Sequence, residues 1–257
     1  MTRPPPAPDQ TAVRDFFTAH AQDYSNLFRA KQNGSHHVFR QRLTLARQMT
    51  AGTAGRILDC ACGSGEVTAA VLESGRFTGG VLVDLSPRML ELARQEMTRV
   101  LDHLDPMLLE FRGLDIFELI AGEIQERFDL VLCLGLVAHT GRLEELLQGL
   151  HKLLRPKGKI LLQSTLLDHP GTKVVRMLTA RRYYRRQGYR ISYYRHNDIL
   201  RAAENANLDM VAMRRFGVGF PLGDRLWAGM NFRLEQSLQG WASAHGAEAL
   251  YLLEARG

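Results

Sequence analysis

The sequence predicts an α/β fold: a doubly wound, seven-stranded, mostly parallel sheet with helices on both faces and helical cap insertions. Three observations point there. From residue 56 onward, short apolar runs alternate with helically spaced stretches. Residues 128–136, FDLVLCLGL, are almost wholly apolar, as a strand covered on both faces must be. At 57–68, ILDCACGSGEVT, a strand runs straight into a glycine-containing turn that opens a helix. Strands separated by helices imply parallel pairing through right-handed crossovers.

Residues 1–9, rich in proline, read as a flexible leader, with no apolar segment of the kind a signal peptide needs. Residues 10–32 and 36–50 show helical spacing around the break Asn33-Gly34-Ser35 and form an N-terminal lid spanning 10–50. The core spans 51–166. Its strands are expected at 56–60, 79–85, 107–115, 128–136 and 159–167, and its helices at 65–75, 88–101 and 142–154. Ser86-Pro87 supplies an N-cap and a first-turn proline for the second of these helices, and Arg155-Pro156-Lys157-Gly158 is read as the turn ending the third. The remainder, 167–257, completes the same domain with a helix at 197–208 and strands at 209–216 and 248–256. Two stretches there, about 167–196 and 217–246, are longer than ordinary loops and are candidates for a substrate cap.

Composition limits the partners. The chain of 257 residues carries +6, yet residues 171–201 alone carry +8, so the rest is slightly acidic. One basic strip suggests a local anionic partner rather than general polyanion binding. Within it, residues 181–195 hold six arginines and five of the seven tyrosines. Three cysteines (Cys60, Cys62 and Cys133) give neither a disulfide framework nor a zinc set; they read as small core residues of a chain kept in a reducing cytoplasm. No apolar run is long enough to span a bilayer.

The turn after the first strand is not a dinucleotide fingerprint, because Thr68 stands where GxGxxG needs its last glycine. Asp59 inside the turn has the wrong sign for a pyrophosphate and the right sign for a cationic ligand. The run Asp59-x-Ala61-Cys62-Gly63-Ser64-Gly65 resembles the first motif, D-x-G-x-G-x-G, of class I S-adenosylmethionine-dependent methyltransferases, with Ala61 replacing the first glycine. Asp84 at the end of VLVDL, Asp115 in GLDIF, the fourth strand and the RPKG turn follow in the family's order. The resemblance covers about residues 10–165, and the end of the chain more loosely.

The resemblance implies a Rossmann-like fold and S-adenosyl-L-methionine as cofactor. Asp84 would accept both ribose hydroxyls, Asp115 the adenine amino group with the Ile116 amide nearby, and Asp59 would face the cationic amino-acid part. Cys60, Ala61, Gly63, Gly65, Leu85, Met89 and Leu134 complete the implied cofactor site, with Tyr24 and Arg40 from the lid. His139, in the loop after strand four, is the candidate general base. His36, His37, His169, Tyr193, Tyr194 and Trp227 are candidates for the substrate cap.

The acceptor is bounded by what is missing. There is no N/D-P-P-Y/F turn after strand four, no cysteine following Pro or Thr, and no carboxylate just past strand four for a metal-dependent catechol site. A metal-independent transfer to a small hydrophobic or anionic acceptor remains, to oxygen for preference because of His139. The acceptor could carry phosphate or carboxylate, or be linked to a carrier. Two alternatives stay open: an RNA methyltransferase using the basic strip, and a non-catalytic cofactor-binding protein.

Overall fold

The computed structural model describes residues 8–29, 34–100, 109–122, 126–218 and 230–256. Strands β1 (Ala54–Asp59), β2 (Arg76–Val83), β3 (Leu109–Arg112), β4 (Phe128–Cys133), β5 (Leu154–Thr165), β6 (Leu208–Phe216) and β7 (Glu248–Ala255) form one sheet. Its order is β3-β2-β1-β4-β5-β7-β6. The pairs among β1 to β5 are parallel, whereas β7 inserts between β5 and β6 antiparallel to both. The mostly parallel sheet expected from the alternation is therefore present, its single reversal made by the last strand.

Helices cover both faces. On one face α3 (Gly34–Met49), α4 (Glu66–Ser74) and α5 (Pro87–Val100) place Ala46, Val71 and Ala93 against Ile57, Leu82 and Leu132. On the other, α6 (Ile116–Ala121), α8 (Leu143–Lys152) and α10 (His196–Asn205) pack Leu119, Leu146, Leu147, Leu150 and Ile199 on Leu58, Val81 and Val131. Ile57 and Leu58 point to opposite layers because successive strand side chains alternate. Each fully buried leucine of α8 contributes about 1.5–3 kcal/mol of transfer free energy. All three cysteines are free and buried in these layers, and burial pushes each thiol up, away from the reactive thiolate.

Several boundaries differ from the sequence reading. β2 begins at Arg76, directly after the glycine that ends α4. β4 stops at Cys133, and Gly135, with φ of 79°, turns the chain out of the sheet into α7 (Val137–Thr140). The RPKG segment is not a free turn. It lies within β5, where Leu154 pairs with Phe128, the register shifts, and Lys157 takes φ of 62°. A Cβ at Gly158 would meet the Phe128 carbonyl oxygen at 2.9 Å, so the backbones are too close there for a side chain.

The segment expected to form a lid, residues 10–50, holds α1 (Gln10–Ala19), α2 (Ala21–Arg29) and α3. The break between the first two is at His20, whose Nδ1 lies 2.9 Å from the Phe16 carbonyl oxygen; the periodicity of 10–32 did not separate them. The first insertion is α9 (Pro170–Gln187) followed by an extended return that reaches the sheet at the Leu166–Tyr194 bridge. The second contains α11 (Met230–Ser237) and α12 (Gln239–His245), which touch α3 and β6 respectively. Trp227 lies outside the described residues, as does most of the leader.

Candidate active site

The strand order reverses direction between β1 and β4, and a crevice opens there at the strands' C-terminal ends. The β1–α4 turn forms one wall. Cys60 N–H donates to the Leu132 carbonyl and Cys62 N–H to the Val83 carbonyl, both at 2.9 Å, which fastens the turn to its neighbouring strands. Gly63 and Gly65 both have positive φ. A Cβ on Gly65 would lie 3.1 Å from both Ala93 Cα and Met97 Cε, so this glycine serves the approach of α4 to α5. Gly65→Ala is expected to cost about 1–3 kcal/mol in urea unfolding, from left-handed strain and that contact; unchanged stability would show the loop free to relax.

Asp59 is the last residue of β1, Asp84 follows β2, and Asp115 lies three residues past β3, which ends at Arg112 rather than at 115. Asp84 accepts the Gly63 N–H at 2.9 Å on one oxygen and the Ser86 N–H at 2.9 Å on the other. Asp59 accepts the Ala61 N–H at 3.2 Å and the Thr68 hydroxyl at 2.5 Å. Thr68, the departure from the dinucleotide pattern, is thus the side chain that holds Asp59. Asp115 accepts the Phe117 N–H at 2.8 Å and caps α6. Burial raises Asp59 to about 7 and Asp84 to about 6, and the two carboxylates add to one another's cost at Asp59. Among the described residues neither has a cationic side chain in ion-pair reach. A buried, unpaired acidic pair fits a ligand that brings positive charge, and S-adenosylmethionine, a sulfonium with an ammonium group, does.

A cavity of about 230 Å³ opens between these acids and the lid. Cys60, Ala61, Gly63, Asp84, Leu85, Met89, Asp115, Ile116, Leu134, His139 and Tyr24 line it. Asp59 lies on a side chamber of about 20 Å³ that shares Tyr24, Ala61, Gly63 and Leu134 with it. Gly65 stands behind the turn rather than on the cavity. Arg40 is exposed and reaches neither space; two positions on, about 200° around the helix, Arg42 is buried and lines both. Arg42 donates to the Tyr24 hydroxyl at 3.3 Å and lies over the Phe39 ring at 4.8 Å.

Glu66 was also missed. Its carboxylate accepts from Ser64 at 2.6 Å and from Ser25 of α2 at 2.8 Å, so the lid is bonded to the glycine turn itself; burial raises its pKa. The signal available in the sequence was only an acid directly after Gly65, which reads equally well as ordinary first-turn helix chemistry.

His139 sits in α7, on the cavity, with its ring edge-on to Phe17 of the lid. Its Nδ1 lies 3.0 Å from the Tyr189 hydroxyl. Burial, and secondarily Arg42, lowers His139 to about 4. Among the cap candidates, Tyr193 and Tyr194 line a second, larger cleft rather than this cavity. His169 precedes α9 and reaches neither. His37 is buried at the start of α3 and does not line the cavity; the His36 side chain lies outside the described residues. Among the described residues, none of the second insertion lines the cavity.

The fold and the site define an α/β protein with a cavity and side chamber beside the acids that follow β1, β2 and β3. Residues 58–160 match the methyltransferase domain family. The chain is 30% identical over 121 residues to a ubiquinone biosynthesis O-methyltransferase of Pseudomonas paraeruginosa, a match covering 47% of this chain and 48% of that one. This chain thus spans about half the length of the curated relatives it matches. By structure it is similar to an S-adenosylmethionine-dependent methyltransferase of Thermotoga maritima, with TM-score 0.66, 11% identity, and coverage of 95% of this chain and 100% of the other. It also resembles the N-methyltransferase NodS of Bradyrhizobium japonicum in complex with S-adenosylhomocysteine, with TM-score 0.54, 15% identity, and coverage of 85% and 87%. Residues 58–160 are thus a domain of the methyltransferase family, and the fold is that of S-adenosylmethionine-dependent methyltransferases.

Proposed function

We propose that the chain transfers the methyl group of S-adenosylmethionine to a hydroxyl of a small acceptor. The observation that carries this is His139, a neutral imidazole on the cofactor cavity. The similarity to the Pseudomonas O-methyltransferase supports oxygen as the atom methylated. The acceptor oxygen's lone pair would attack the sulfonium methyl in line, the S–CH3 bond breaking to leave neutral S-adenosylhomocysteine and the hydroxyl proton passing to water, so the protein's task is positioning and charge. Asp84 holds the ribose hydroxyls and Asp115 the adenine side. The buried Arg42 takes the carboxylate of the amino-acid part, and Tyr24 closes the lid above it.

Among the described residues, Nδ1 of His139 is the acceptor available to the Tyr189 hydroxyl. Burial raises the Tyr189 pKa, so it stays a phenol and donates. The ring hydrogen of His139 then belongs on Nε2. With its pKa near 4, the ring is a weak base, and in this reading it orients the acceptor oxygen by hydrogen bonding rather than titrating in the working range. The rate should therefore be flat with respect to His139 from pH 6 to 8 and fall only as pH approaches 4. A kcat–pH profile with a midpoint near 6.5, removed by His139→Gln, would restore the general-base role.

The direct test is calorimetric titration with S-adenosylmethionine, S-adenosylhomocysteine and NAD, followed by methyl-label transfer to matched phenol, amine and thiol acceptors. Binding of the first two and label on the phenols support the reading. Binding of NAD alone, or transfer confined to amines, would sink it.

A further inference from the structure

The tyrosine–arginine strip builds a second space. A cleft of about 1230 Å³ lies between α9, the return segment 188–195 and the turn at Gly141 and Arg142 that opens α8. Tyr189, which lines the cleft, bonds His139, which lines the cofactor cavity, so the two spaces are neighbours at that pair. Besides Arg142, which pairs with Glu145, four guanidiniums line the cleft: Arg176, Arg181, Arg190 and Arg195. None of these side chains has a carboxylate partner among the described residues. The cleft's own acids are already engaged: Glu145 by Arg142, Asp198 by Arg201 at 2.7 Å, and Glu144 by Asn205 at 2.8 Å. Charge in the cleft is therefore unmatched in one direction, while Tyr184, Tyr189 and Ile191 give it an apolar floor.

We propose that this cleft is the acceptor site, and that the acceptor is an amphiphilic small molecule with an anionic group, phosphate or carboxylate, at the end remote from the methylated hydroxyl. The inference rests on the methyltransferase reading above. The arginines take the anion through charge-assisted, bidentate hydrogen bonds, and the apolar body lies along the tyrosines. The reactive end then arrives at the Tyr189–His139 pair. The same arrangement explains why the basic residues cluster on one helix and its return while the rest of the chain is slightly acidic.

The test is calorimetric titration of the S-adenosylhomocysteine-saturated protein with hexyl phosphate, hexanoate, hexanol and inorganic phosphate, in the parent chain and in an Arg176→Gln/Arg181→Gln/Arg190→Gln variant. These three side chains are exposed, so the fold should survive, and retained S-adenosylhomocysteine binding reports that it does. The anionic amphiphiles are expected to bind at least ~10-fold tighter than hexanol, as charge-assisted pairing implies, and to lose that preference in the variant. Hexyl phosphate should also exceed inorganic phosphate by a similar factor. Equal binding of hexanol, no effect of the variant, or inorganic phosphate binding as well as the amphiphile would overturn the proposal. So would binding that appears only with bulk tRNA and collapses between low and physiological salt. Loss of S-adenosylhomocysteine binding by the parent chain would instead remove the methyltransferase reading beneath it.

Discussion

Asp84→Ala is expected to weaken S-adenosylhomocysteine binding by about 1–3 kcal/mol, roughly 5- to 150-fold, while leaving a folded protein. Both Asp84 oxygens already accept a backbone N–H, one from Gly63 in the glycine turn and one from Ser86 before α5. A carboxylate oxygen can accept twice, so each retains capacity toward the cavity that a ribose hydroxyl can use. The alanine variant therefore loses the ligand's partner and the tie between two loops together. Asp84→Asn keeps one oxygen and should fall between the two. Calorimetry with S-adenosylhomocysteine checks this, and unchanged affinity in Asp84→Ala would remove the ribose assignment.

Asp59→Asn should stabilise the ligand-free protein at pH 8 while weakening its hold on the cofactor. Asp59 is buried and its folded pKa is about 7, against an ordinary value of 3.8. Between those values the native state binds more protons than the unfolded chain, so this group's contribution to stability falls as pH rises from about 4 to 7 and then levels off. Three pH units correspond to about 4 kcal/mol, which sets the order of the cost of holding the charge. Asparagine removes that cost and can keep both bonds, accepting from the Ala61 N–H and donating to Thr68 if its hydroxyl turns. The variant's Tm should exceed the parent's at pH 8, and the gain should vanish near pH 4. His139 acts in the opposite direction between about 4 and 6.5, so the comparison is made between the two proteins at each pH. An equal Tm at pH 8 would mean that Asp59 is not held in a buried, ionised state.

The tie between Ser25 and Glu66 gives the lid a structural meaning beyond covering the site. Closure of α2 is bonded to the same turn that carries Gly63 and Gly65, so order in the lid and order in the cofactor loop are coupled through one buried carboxylate. Arg42 and Tyr24 make a second link on the other side of the side chamber.

The sequence by itself determined the class of sheet, the glycine turn and the three acids at or just past strand ends. Those are local facts: a buried strand shows as an apolar run, a helix start as Ser86-Pro87, and a strand-to-helix turn as glycines beside an acid. It also marked the basic strip, because charge is additive along the chain. Only the tertiary structure decided that Arg42 rather than Arg40 reaches the cavity, since helix phase relative to the sheet depends on how α3 packs. The same holds for Thr68 on Asp59, Ser25 on Glu66 and Tyr189 on His139, whose partners are 9, 41 and 50 residues apart. It likewise moved RPKG from a free turn into β5, where pairing with β4 overrides local turn preference. Periodicity reports which face a residue shares with its neighbours in the chain; which distant side chain that face meets is set by packing, and the chemistry of this site lies in those meetings.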